Sequence, residues 1–354
     1  MSDEGVQRLD SLIKAQPDEF AGMEADPATH TLKVYLPGAH ARQALDRIST
    51  LARSDRGDLQ WRLRFSSVDR SLRQLNDTMA RVTSQQPWAS LAKDALSVWY
   101  VDPTINKVHV GVTTLTPALA SAAAEAFGDS VQLVQQERPV TANKTYPRPA
   151  TLRTRKVSQQ QLRKLIASER PQAAAATSSP NRLLDALPYW GGDRIVRVSG
   201  NYVYECTGAF DWTTPSVSNV MTTAGHCAPN NTTWLQGYFD QSTSTIYYTG
   251  NMGLVYSVQW GNNRIDAELM TDSGGYYDPY VYTGTPICGT ACSFHVQGTA
   301  APVVGMNVGL YGSFTYQSAG RISATNVCAN VNDNGTIVKV CYQAIADSTT
   351  GAGS

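Results

Sequence analysis

Thr223-Ala224-Gly225-His226-Cys227 is the stretch that decides how this chain is read. It sets a histidine beside a cysteine on a turn of small residues. A second cysteine, Cys206, lies 21 positions upstream in an apolar run that reads as a strand. A disulfide between the two would pin the histidine loop to that strand. A general base works only when held within hydrogen-bond reach of its nucleophile, so such fixing suits a working imidazole. The plainer alternative is a satisfied core histidine. His30, His40, His109 and His295 show no ligand spacing, so no metal is expected, and no cofactor is expected either.

All six cysteines fall between Cys206 and Cys341, in a region poor in charge and rich in Gly, Thr, Ser and Tyr. That pattern reads as a disulfide-stapled extracellular domain, with buried free thiols in a reducing compartment as the alternative. Cys328 and Cys341 flank Val331-Asn332-Asp333-Asn334-Gly335, where Asn-Gly favours the positive φ of a tight hairpin. Cys288 and Cys292, the remaining pair, would close a small loop. The resulting set, 206–227, 288–292 and 328–341, is one of about 15 connectivities that six cysteines allow.

The net charge of zero hides an asymmetry. Residues 1–144 carry −1, residues 145–182 carry +7 and residues 183–354 carry −6. The basic excess is local, so it requires no nucleic-acid partner. No run of about 18 apolar residues occurs, so no membrane-spanning helix is expected. The opening Met-Ser-Asp-Glu-Gly is not a signal peptide; a secreted domain would need one from outside this sequence.

Residues 1–140 read as an α+β unit. Asp26-Pro27 and Asp102-Pro103 each open a turn followed by an alternating strand, and helical stretches follow near 39–52 and 116–127. These two units suggest a duplicated small fold. Residues 68–84 predict a further helix. Residues 141–182 change to a basic Pro/Ala/Ser stretch and read as a linker, with one short helix at 157–169. From about 183 the chain becomes all-β, with strands near 194–199, 202–210, 254–260, 303–311, 319–327 and 336–346.

The histidine motif resembles that of chymotrypsin-like serine proteases, and the surrounding chain looks most like the streptogrisin and alpha-lytic protease branch. Gly191-Gly192-Asp193-Arg194-Ile195 is similar to the glycine-rich opening of the mature enzymes, and residues 1–140 look like their pro-region. The resemblance implies an all-β double barrel preceded by an α+β pro-region that helps the barrels fold. It implies a secreted endopeptidase made as a zymogen, acting on peptide or protein substrates. Its pro-region would bind its own protease domain, with processing between 170 and 188.

The family order is His, Asp, Ser. His226 takes the first place, as general base. Asp266 in Arg264-Ile265-Asp266-Ala267-Glu268-Leu269-Met270 matches the aspartate motif, 40 residues on. Asp272-Ser273-Gly274-Gly275 reads as a surface loop, since most of a second barrel should separate aspartate from serine. The nucleophile is expected at Ser354 or just beyond it, which implies a truncated second barrel with an open edge. The rival reading is an inactive relative that acts as an extracellular binding domain.

Overall fold

The computed structural model describes residues 3–54, 61–142, 144–158, 161, 182–185, 187–214, 217, 219–271, 277–283 and 293–348. The N-terminal part contains the same unit twice. In the first, β1 (Gly22–Asp26) and β2 (Thr31–Pro37) form a hairpin; α2 (Ala41–Ser54) crosses over to β3 (Arg62–Val68), which pairs parallel to β2. In the second, β4 (Leu96–Asp102) and β5 (Lys107–Val112) form the hairpin; α5 (Pro117–Phe127) crosses to β6 (Val131–Gln135), parallel to β5. The duplication suggested by the two Asp-Pro turns is thus present.

Local chemistry explains the helix limits. Ser71 and Gln74 form a reciprocal capping box at the start of α3 (Leu72–Arg81). Thr116 caps α5, Pro117 occupies its first turn, and Gly128 ends it at positive φ. α1 (Asp3–Ala15) lays Val6, Leu9 and Ile13 on the core of the first unit. α4 (Trp88–Ala92) buries Trp88 in the core of the second, edge-on to Phe127.

The β region begins with β9 (Tyr189–Gly191), β10 (Arg194–Ser199), β11 (Tyr202–Thr207), β12 (Asp211–Trp212) and β13 (Val220–Thr223). β14 (Thr233–Asp240), β15 (Thr245–Gln259) and β16 (Ala267–Thr271) follow. Their order in one sheet is β12-β13-β16-β15-β14-β10-β11. The six main strands have the antiparallel order of a chymotrypsin-like first barrel. Bonds from Ala209 N–H to Thr222 O and from Thr223 Oγ1 to Thr207 O, 2.7 Å each, join its two ends. Ile195, Met221, Trp234, Met252, Val255 and Met270 fill it.

Among the described residues, the strands after 276 do not form one sheet. β17 (Tyr277–Tyr282) pairs with β18 (Ser293–His295) and β9. β19 (Asn307–Gly312), β20 (Tyr316–Asp333) and β21 (Thr336–Ser348) form a meander around the expected Asn334-Gly335 turn, both residues at positive φ. β20 also pairs antiparallel with β4, through Cys328↔Trp99 and Ala329↔Val98. One six-stranded sheet therefore runs from the N-terminal region into the C-terminal hairpin.

The 141–182 stretch departs from the linker expectation. Lys144–Pro147 forms β7, antiparallel to β11, and Arg153–Lys156 forms β8, parallel to β15. Composition hid these strands: four exposed basic side chains on a sheet edge look the same in sequence as four basic residues in solution. The helix expected at 157–169 falls almost wholly outside the described residues.

Candidate active site

The turn at 224–228 is pressed onto β15 and β16. A side chain at Gly225 would lie 2.3 Å from Gln259 O and 2.8 Å from Ala267 O, so only glycine permits this approach. Cys206 is bonded to Cys227, which ties the turn to β11. The Arg197 guanidinium donates to Cys227 O through two nitrogens, at 3.0 and 2.8 Å, and lies over the Tyr204 ring.

These restraints set His226 against Asp266, at the entrance to β16. His226 Nδ1 and Asp266 Oδ2 are 2.7 Å apart, and Asp266 Oδ1 accepts the His226 backbone N–H at 2.9 Å. The carboxylate thus fixes both the ring and the backbone that carries it. The Trp260 ring lies 5.4 Å from the imidazole, centroid to centroid. Among the described residues no group hydrogen-bonds to Nε2. Such an imidazole can take a proton at Nε2 while its Nδ1–H points at the carboxylate.

His226 and Asp266 open onto a cavity of about 260 Å³. Val98 of β4, the segment Pro139–Ala142, Val331 and Val340 also line it. The 139–142 segment is held by its backbone. Pro139 O accepts Asn332 N–H at 2.8 Å, and Val140 bridges Asn332 in parallel. A larger cavity, about 470 Å³, lies between the N-terminal units and residues 302–304, away from the imidazole.

Cys328 and Cys341 are joined across β20 and β21. Cys288, Cys292, Ser273 and Ser354 lie outside the described residues. The sulfurs of Cys206 and Cys227 come within 4.8 Å of the imidazole, but both are taken up in the disulfide and offer no thiolate to a metal.

Sequence reasoning missed Glu268. It is 1% exposed, and its oxygens accept Ala228 N–H at 3.0 Å and Trp234 Nε1–H at 2.9 Å. It therefore braces the far side of the histidine turn, two residues from Asp266. A charged residue at an inward position of an apolar strand was the signal available. Burial pushes its carboxyl from the ordinary 4.5 to about 8, against the opposing pull of its two donors and Arg197. The folded protein then holds a proton that the unfolded chain releases above 4.5. The stability that this proton contributes is full below pH 4.5 and is lost as pH rises towards 8, at up to about 1.4 kcal/mol per unit. Thermal melts from pH 4 to 9 check this. Glu268→Gln should flatten the decline; an unchanged slope in that variant would assign it elsewhere.

With the geometry in place, residues 70–130 match the family model of the alpha-lytic protease prodomain. Residues 70–130 are thus similar to an alpha-lytic protease prodomain. The matched span runs from α3 through α5, which takes in the second N-terminal unit up to the start of β6, including the strand that pairs with β20. Among solved structures, protease A of Thermobifida fusca is 19% identical, with 45% of this chain and 69% of that chain covered and a TM-score of 0.33. Alpha-lytic protease homolog N4 is 22% identical, covering 45% and 72%, TM-score 0.33. The Nocardiopsis protease is 20% identical, covering 44% and 69%, TM-score 0.33. A search of curated proteins finds no match. Among the described residues, no helix is long and apolar enough to cross a membrane.

Proposed function

We propose that this chain is a secreted serine endopeptidase made as a zymogen, with His226 as general base and Asp266 as the group that orients it. The observation that carries the proposal is the 2.7 Å bond between His226 Nδ1 and Asp266 Oδ2 at the wall of a cavity. Asp266 keeps the tautomer with its proton on Nδ1. Nε2 then accepts the proton of a serine hydroxyl as that oxygen attacks a peptide carbonyl, and returns it to the leaving amine. Asp266 also stabilises the imidazolium formed in between. The nucleophile is expected at Ser354 or just beyond it.

Three features support the zymogen part. A prodomain precedes the β region, it shares a sheet with β20, and residues 139–142 occupy the cavity wall beside His226. The disulfides support an oxidising destination.

A fluorophosphonate probe tests the reading, because it labels only a serine activated by a neighbouring base. The expected result is one labelled serine in the full chain after processing, with labelling lost in His226→Ala. An unlabelled, fully folded protein without peptidase activity would sink the proposal.

A further inference from the structure

We propose that residues 144–157 form an integral strap of the first barrel, that the pro-region ends before Lys144, and that this strap stays on the barrel when the pro-region leaves. The inference rests on the zymogen reading for the departure of the pro-region, but on geometry for the strap itself. It places the boundary well before the 170–188 interval that composition suggests.

The contacts change partner within a few residues. Pro139 and Thr141 bond to Asn332, and the Thr141 hydroxyl bonds to Asp333 at 3.1 Å, so this part faces the hairpin shared with the prodomain. From Lys144 onward the contacts are to the barrel. β7 pairs with β11 over four residues, from Glu205↔Lys144 to Tyr202↔Pro147. Arg148 N–H continues the ladder to Asn201 O at 2.7 Å. β8 then pairs with β15, from Thr245↔Arg153 to Tyr248↔Lys156, and Val157 N–H bonds Tyr248 O at 2.8 Å.

Two physical needs are met by this strap. First, the initial half of β15 lies beyond its pairing with β16, which begins at Leu254, so one edge there is open without β8. β7 likewise takes the second edge of β11, whose other edge is held by β10. Unpaired edges invite association with other chains, and the strap closes both. Second, Tyr146 and Leu152 pack on Val196, Val203, Phe239 and Ile246, a small apolar cluster at one end of the barrel. Val157 is 5% exposed and packs with Leu184 against Tyr238 and Tyr247.

Arg182 carries the same logic further along the chain. It is fully buried, donates to Gly312 O at 2.7 Å and lies near the rings of Tyr282 and Tyr316. A cut at 183–188 that discarded everything before it would pull this cation out of the β region.

Hydrogen exchange of the full chain carrying His226→Ala tests the strap without any need for activity. Amides of 144–146 and 153–157 are expected to exchange at least about 100-fold more slowly than in a free peptide of that sequence. Protection below that level overturns the proposal. Nicking the same protein with trypsin and separating the products by native size exclusion gives the second arm. Residues 144–157 are expected to elute with the barrel; elution with the pro-region overturns the proposal. The double variant Tyr146→Asp, Leu152→Asp should lose protection in 144–157 while β4–β6 keep theirs. Neither arm reads peptidase activity, so an inactive protein with a protected strap would sink the enzyme reading alone.

Discussion

Replacing Asp266 by Asn is expected to lower kcat on a peptide substrate about 10⁴-fold with little change in KM. The geometry gives the reason. Asp266 Oδ1 accepts the backbone N–H of His226, and Oδ2 faces ring Nδ1. In Asn the carbonyl oxygen keeps the backbone bond, which leaves the amide NH₂ facing Nδ1. The ring must then accept there, and its proton moves to Nε2. A histidine protonated at Nε2 cannot take the serine proton. Nitrogen-15 shifts of His226 report the same change without turnover. The proton is expected on Nδ1 in the native protein and on Nε2 in the variant. An unchanged tautomer, or a loss under tenfold, would remove Asp266 from its assigned role. Melting of the variant should stay close to the native protein, because both hydrogen bonds keep a partner.

Arg182→Ala is expected to cost about 1–3 kcal/mol of folding stability, because it leaves the part-buried Gly312 O without its donor and Asp193 without a nearby cation. Asp193 is wholly buried and Asp185 is 3% exposed. Burial and the charge of Asp185 push the Asp193 carboxyl well up, and the Arg182 cation opposes that rise. Tyr282 donates its hydroxyl to Asp185 at 2.8 Å, and burial likewise raises the Tyr282 phenol. Without Arg182 the Asp193 carboxyl loses the cation whose charge opposes its rise. Arg182→Met keeps most of the volume and should lose a similar amount, which separates lost charge from lost packing. Urea unfolding of the full chain measures both. A loss below about 1 kcal/mol in each would mean that the acids are neutral in the native state and need no counter-charge.

The sequence carried the fold well where chemistry was local. Asp26-Pro27 and Asp102-Pro103 marked the two hairpins, Asn334-Gly335 marked the third, and alternation marked β10, β11 and β20. Gly225-His226-Cys227 and Asp266 were legible through their resemblance to family motifs, and the structure sets His226 Nδ1 2.7 Å from Asp266 Oδ2. What was not legible depended on distant partners. β7 and β8 are strands only because β11 and β15 offer edges to them. Glu268 looked like one more polar residue until its oxygens found Ala228 and Trp234. Arg182 ended a basic run and gave no sign that it would be buried.

The strand pairing between the N-terminal region and the β region is two residue pairs long, Cys328↔Trp99 and Ala329↔Val98, and bonds such as Ala25 N–H to Val304 O and Arg321 to Ala25 O join the two sides elsewhere. While the chain is continuous, tethering keeps the local concentration of each side near the millimolar range, so even a weak seam stays shut. Once the backbone is severed, the same contact is an ordinary bimolecular complex, exposed to dilution. Opening of this contact then requires the two-pair strand contact and the bonds at Ala25 to give way together, and dilution favours both.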